Sequence, residues 1–218
     1  MALMASDKPA RLVGVRSRGL SGRIALEDGA AAFESTLEQD LLELLDFDAR
    51  VSEVLVQPFT IFHVENGRRR PYTPDVRATY IGVGGEVVVY EVKYQEDLRK
   101  NWAKYRARFG AAYRYCRDNG WRFKLMTERH IRTPYLANVK FLRRFLRLPE
   151  QELISGQLLY TLRALGPTTA QALLAATYMS ADSRLRAIPT LWKLVGDGRI
   201  AAELGEPMTM ASVIWMES

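Results

Sequence analysis

Four consecutive apolar residues, Val87-Val88-Val89-Tyr90, run directly into Glu91-Val92-Lys93. An apolar run of this length, rich in β-branched residues, reads as a buried strand. Side chains at i and i+2 on a strand share a face, so Glu91 and Lys93 project together while Val92 packs into the core on the other side. A buried strand that stops abruptly in two charges places them at the carboxyl rim of its sheet, where α/β proteins build sites.

A second strand pattern, Tyr72-Thr73-Pro74-Asp75-Val76 to Tyr80, precedes it and is interrupted at its start by Pro74. Gly82, Gly84 and Gly85 supply a hairpin turn between the two strands. That pairing brings Asp75, Glu91 and Lys93 together across 15 intervening residues. A Glu-x-Lys pair alone usually decorates a solvated sheet face. Here the apolar run behind it and the ladder bond forfeited at Pro74 favour a site.

Two carboxylates and an ammonium suit phosphodiester hydrolysis. Carboxylates hold a hard divalent cation such as Mg²⁺, for which Mn²⁺ can substitute, and the cation polarises the phosphate and activates water. Lys93 positions or deprotonates the water, or offsets charge on the phosphorus. Glu34, on an amphipathic helix marked by Phe33, Leu37, Leu41, Leu44 and Leu45, is a fourth candidate, and Glu38 one turn later a weaker one. The single Cys116 with only His63 and His130 gives no zinc cage, so any metal sits on oxygen.

The remaining patterns define the architecture. Strands are expected at Val51–Val56 and Thr60–Val64, followed by the turn-like Glu65-Asn66-Gly67 and a basic run, Arg68-Arg69-Arg70. A long helix from about Leu98 to Asp118 places Leu98, Trp102, Tyr105, Phe109, Ala112 and Cys116 on one face, and Asn119-Gly120 ends it. A strand at Trp121–Thr127 and a basic helix at Leu136–Leu146 follow. The order predicts an α/β fold with a mixed central sheet flanked by helices. Residues 1–30 read as an irregular arm and 31–148 as the main domain. Residues 149–218 read as three short helices, the second capped by Thr168, and two strands around Gly205-Glu206-Pro207: a small winged helix.

Charge is concentrated. Residues 95–150 hold 15 Lys/Arg against five acids, whereas residues 151–218 hold five against six. A local field of this density attracts polyanions, and Arg99, Lys100, Lys104 and Arg108, just after Lys93, are the candidates for DNA phosphate contacts. The C-terminal module is slightly acidic, which favours a protein partner over DNA for it. The absence of a long apolar stretch or a leader pattern leads us to expect a cytoplasmic protein with no membrane association.

Phe33-Glu34-Ser35-Thr36-Leu37-Glu38, Gln57-Pro58, Tyr72-Thr73-Pro74-Asp75, Glu91-Val92-Lys93, Thr127-Glu128 and Ile131-Arg132 resemble, in order and approximate spacing, the TnsA family. These are the restriction-enzyme-like (PD-(D/E)xK) endonuclease subunits of heteromeric cut-and-paste transposases. The resemblance covers roughly residues 30–150, and the C-terminal module resembles that family's winged-helix domain. It implies a restriction-endonuclease-like fold, with Glu34, Asp75 and Glu91 as metal carboxylates and Lys93 as the catalytic lysine. It also implies a DNA nuclease that nicks the 5′ ends of a transposon. A separate RNase H-like transposase subunit would cut the 3′ ends, and an ATPase regulator would engage the complex through the C-terminal domain. A bacterial, nucleoid-associated location follows. Some members carry Gln where Glu91 stands; Glu is the commoner residue in the wider nuclease superfamily. A stand-alone restriction or repair nuclease, and a non-catalytic DNA-binding scaffold, remain the alternatives.

Overall fold

The computed structural model describes residues 11–12, 32–65, 67–82 and 84–217, with the backbone alone at 11–12 and 32–35. The expected N-terminal arm thus lies outside the described residues, save for Arg11–Leu12. By its internal packing the chain divides into two compact units, Met1–Ile131 and Arg132–Ser218.

The first unit runs β1 (Arg11–Leu12), α1 (Ala32–Phe47), β2 (Val51–Val56), β3 (Ile61–Glu65), β4 (Arg68–Tyr72), β5 (Val76–Tyr80), β6 (Val87–Val92), α2 (Gln95–Asp118), β7 (Arg122–Met126) and α3 (Glu128–Ile131). Five strands form one sheet in the order β1-β2-β5-β6-β7. All neighbours are antiparallel except β6 and β7, which are parallel and joined by α2 as the crossover. The expected mixed sheet flanked by helices is therefore present. The β5–β6 turn closes through Gly85 N–H to Gly82 O (3.1 Å), with Gly84 and Gly85 at φ of +91° and +53°, which glycine adopts without a Cβ clash.

Leu37, Leu41 and Leu45 recur every four residues on α1 and are buried, and α1 packs against β2 and β6. On α2, Tyr105, Phe109 and Ala112 bury a stripe in a cluster with Ile61 and Tyr72, against which Phe123 and Leu125 pack. Trp102, expected in that stripe, departs from it: its side chain is half exposed. The cause is local, because Asn101 leaves helical geometry (φ −116°, ψ 16°) and shifts the phase of the first turns relative to the rest. The basic run Arg68-Arg69-Arg70, to which the sequence assigned no element, is the body of β4. It pairs antiparallel with β3, from Ile61↔Tyr72 to Glu65↔Arg68, as a two-stranded ribbon separate from the main sheet.

The second unit holds α4 (Pro134–Leu146), α5 (Glu152–Leu165), β8 (Thr168–Thr169), α6 (Ala170–Thr177), α7 (Ala181–Gly196), β9 (Ala201–Ala202) and β10 (Val213–Trp215). The three strands form an antiparallel sheet in the order β8-β10-β9. Thr169, not Thr168, caps α6 by accepting from Ala172 N–H; Thr168 lies one residue before the cap position.

This unit starts ahead of the boundary expected at 148, because α4 packs inside it. Buried Asn138 donates to Leu204 O (2.9 Å) and Glu206 O (2.7 Å) and accepts from Met208 N–H (3.1 Å), fixing the β9–β10 connection. Phe141 meets Trp192 edge to face at 5.4 Å. With α4 included, the unit carries ten Lys/Arg and seven Asp/Glu, a net of +3, where the shorter segment read as slightly acidic.

Among the described residues, no helix is long and apolar enough to cross a membrane.

Candidate active site

β5 and β6 run side by side from Val76↔Tyr90 to Thr79↔Val87, so the residue before β5 and the end of β6 lie at one edge of the sheet. Asp75 is tied there at both ends. Its backbone O accepts from Gln57 N–H (2.8 Å), and its Oδ2 accepts from Val92 N–H (2.7 Å). Pro74 is buried, and β5 begins only at Val76, so the ladder bond that proline cannot make is not demanded of it. Gln57 holds a left-handed conformation, φ +50°, the one such non-glycine residue among those described. Conformations of this kind cost of order 1 kcal/mol and persist where surrounding structure enforces them.

Glu91 and Lys93 share the α2 side of the sheet, as the alternation predicts, but neither is solvated. Glu91 is 2% exposed and Lys93 7%, at the carboxyl rim where the sequence led us to expect them. The Tyr72 hydroxyl donates to Glu91 Oε2 at 2.5 Å. On the other oxygen, Glu91 Oε1 lies 3.6 Å from Lys93 Nζ and 3.7 Å from Arg108 Nη2. Lys93 Nζ donates to Val92 O at 2.9 Å. Both cations thus stand just beyond direct hydrogen-bond reach of Oε1, which leaves that oxygen room for another partner.

The electrostatics are those of a crowded acid site. Burial, and then the negative charge of Asp75, push the Glu91 carboxyl up to about 7, against the pull of Lys93, the Tyr72 hydrogen bond and Arg108. The same burial, followed by the charge of Glu91, drives the Tyr72 hydroxyl far above its ordinary value, so it stays a donor.

A hard divalent cation fits this donor set, because Mg²⁺ is usually held by one or two carboxylates with substrate phosphate oxygens completing the shell. Asp75 and Glu91 could supply those carboxylates, and a cation held by them would offset the negative charge of Asp75 that helps to raise Glu91. Among the described residues no group of three or more acidic, histidine or cysteine ligands is assembled. The further candidate, Glu34, is on α1, but its side chain lies outside the described ones. Glu38 on the same helix is partly buried.

The four expected phosphate contacts separate. Arg108 belongs to the site itself: its guanidinium lies 4.1 Å from the Tyr105 ring centre and 5.2 Å from that of Phe109, and its buried Nε has no hydrogen-bond partner among the described residues. Arg99, Lys100 and Lys104 are exposed on α2, and Lys100 is paired with Glu96 at 2.6 Å. Arg99 lines a groove of about 510 Å³ with Gln95, Leu98, Trp102, Thr127 and Arg129. This groove opens where the parallel strands β6 and β7 end, at the carboxyl edge that also carries Lys93. Lys93 N–H donates to Met126 O there (3.0 Å), and Gln95 N–H to Glu128 Oε2 (2.9 Å).

Sequence reasoning assigned no role to Tyr72. The signal was slight: an aromatic hydroxyl two residues ahead of Pro74, with the register of β4 unknown.

Residues 48–128 match the family model described as TnsA-like endonuclease N terminal. No curated protein matches the chain. The matched stretch contains Gln57, Tyr72, Asp75, Glu91, Lys93 and Arg108, the residues that the sheet edge and α2 bring together, and stops before the second unit. Residues 48–128 are thus similar to the N-terminal domain of the TnsA-type endonucleases.

Proposed function

We propose that this chain is the Mg²⁺-dependent DNA endonuclease subunit of a heteromeric cut-and-paste transposase, nicking the 5′ ends of the transposon. The observation that carries the reading is the convergence of Asp75 with the buried Glu91 and Lys93, beside Tyr72 and Arg108, inside the stretch that matches an endonuclease family. Asp75 and Glu91 would hold the cation, with Glu34 as a further ligand from α1, the helix that packs on β6. When bound, the cation polarises the phosphodiester and lowers the cost of ionising the attacking water.

The protein groups do the rest. Tyr72, by donating to Oε2, fixes the Glu91 carboxylate and leaves Oε1 beside Lys93 and Arg108. Lys93 offsets negative charge that develops on the phosphoryl oxygens, from a site desolvated enough to make that charge count. Arg108, stacked on Tyr105 and short of one hydrogen-bond acceptor at Nε, offers its guanidinium to a phosphate oxygen. The groove lined by Arg99, Trp102 and Arg129 leads the DNA strand to the same edge.

The partners in this reading are an RNase H-like transposase subunit and an ATPase regulator. The helices α5, α6 and α7 with the β8-β10-β9 sheet support a winged-helix assignment within the second unit, which would contact the regulator or DNA.

The test is strand cleavage of a plasmid carrying the cognate transposon ends, with Mg²⁺ or Mn²⁺, alone and with the partner transposase. On this reading the chain is nearly silent alone and cuts when its partner is present. Full activity of the chain alone favours a stand-alone nuclease of the same fold. Absence of cleavage under every condition, together with no Mn²⁺ bound between Asp75 and Glu91, favours a DNA-binding scaffold.

A further inference from the structure

The β3–β4 ribbon carries a second charged surface that the cleavage chemistry does not use. Arg68, Arg69 and Arg70 occupy three consecutive positions of β4, all exposed, and none makes a side-chain hydrogen bond or ion pair among the described residues. Glu65 is the one acid on the two strands. Alternation divides the three arginines between the faces of the ribbon. Arg68 and Arg70 lie in the row that ends in Tyr72, whose hydroxyl is bonded to Glu91. Steps of two residues along a strand cover on the order of 7 Å, so this row leads away from the acid site in two regular increments. Arg69 is on the opposite face with its guanidinium 4.0 Å from the Phe62 ring centre, a stacked posture that limits its freedom.

The base of the ribbon is fixed to the site. Ile61 and Tyr72 are buried with Tyr105 and Phe109, and the Thr60 and Thr73 hydroxyls meet at 2.8 Å across the first pair beyond the strands. The arginines are therefore carried by a rigid element whose root is a residue of the site.

We infer that the β3–β4 ribbon is a duplex-DNA binding element, with Arg68, Arg69 and Arg70 contacting backbone phosphates that flank the cleaved bond. A two-stranded ribbon is of a size that the major groove admits, and arginine is suited to phosphate by its planar, multiply donating head. The inference rests on the nuclease reading above, since it takes DNA to be the substrate. The competing explanation is edge protection, in which charge on an unpaired strand prevents self-association.

The experiment is fluorescence anisotropy of a short labelled duplex with the full chain, in Ca²⁺ in place of Mg²⁺, across a salt series. The Arg68→Ala/Arg69→Ala/Arg70→Ala variant is expected to flatten the slope of log affinity against log salt by about 2 to 3, at about 0.9 per phosphate contact. The corresponding triple Arg→Lys variant keeps most of the slope. Arg70→Gln alone lowers it by about 1 and serves if the triple alanine variant does not fold. An alanine variant that folds and retains the unsubstituted slope overturns the proposal, whether or not it self-associates or loses an acidic protein partner. If the unsubstituted chain itself shows no salt-dependent duplex binding, the nuclease reading falls and takes this one with it. Binding by the unsubstituted chain that the ribbon variants share sinks the ribbon alone.

Discussion

Two groups of charge stand next to each other in the first unit, and they obey different rules. Around Glu91 the charges are largely buried, with Tyr72 hydrogen-bonded to the carboxylate and Lys93 and Arg108 within 4 Å of it. On the β3–β4 ribbon three arginines are exposed, with no ion-pair partner among the described residues. In the buried group, removing one member leaves an uncompensated charge out of water, so effects are large and coupled. On the ribbon each side chain contributes modestly, independently, and in proportion to salt.

The sharpest way to break this contrast is catalytic. Asp75→Ala or Lys93→Ala is expected to reduce Mg²⁺-dependent cleavage by on the order of 10³-fold or more while duplex affinity in Ca²⁺ stays close to that of the unsubstituted chain. Cleavage that survives either change would show that the buried group is structural.

A smaller effect, on stability, follows from the raised Glu91 carboxyl. Its folded value of about 7 lies above its ordinary value near 4.5, so the folded state holds the proton more tightly. The stabilisation this confers on the metal-free chain is complete below about 4.5 and is lost as pH rises to about 7. Glu91→Gln removes that dependence. Thermal melts without metal should show the unsubstituted chain losing stability between about pH 4.5 and 7 and the variant lacking that loss. Added Mg²⁺ should stabilise the unsubstituted chain and not the variant. Parallel pH profiles for the two would contradict the burial described here.

Tyr72→Phe tests the link between the groups, since it deletes only the hydroxyl that orients Glu91. A loss of about 10- to 100-fold in metal affinity or in kcat is expected, with a circular dichroism spectrum unchanged. At the small end, Lys100→Ala, which removes an exposed partner of Glu96, should leave the thermal midpoint where it is and alter the salt slope by at most about 1. A larger change would mean that α2 and the ribbon have exchanged roles.

The same contrast explains what was legible in the sequence. The acid site was readable because its strand is apolar on both faces, so Val87–Tyr90 set the register and Glu91 and Lys93 fell on one side of it. The strand character of Arg68–Arg70 was not readable, because charged residues carry little β signal and the pairing is imposed by Ile61 and Tyr72 at the base. Trp102 was misplaced because an even helical period cannot anticipate the break at Asn101. The start of the second unit was misread from the fall in charge after residue 148, whereas Asn138 and Phe141 commit α4 to it by contacts no charge count records. Tyr72 escaped because its role depends on one long-range hydrogen bond, 19 residues along the chain from its acceptor.

The parallel pairing of β6 with β7 obliges the chain to cross over through α2, so Lys93 and Arg108 are joined by a stretch that is helical but for the break at Asn101. Each residue of a helix turns the next by about 100°, so adding or deleting one position between them would swing the guanidinium a quarter-turn or more off the Glu91 carboxylate. Loop length can drift freely at the exposed β5–β6 hairpin, but this span tolerates no change in count. The spacing of Lys93 and Arg108 is thus a ruler built into the polypeptide, and natural length variation among relatives should avoid it.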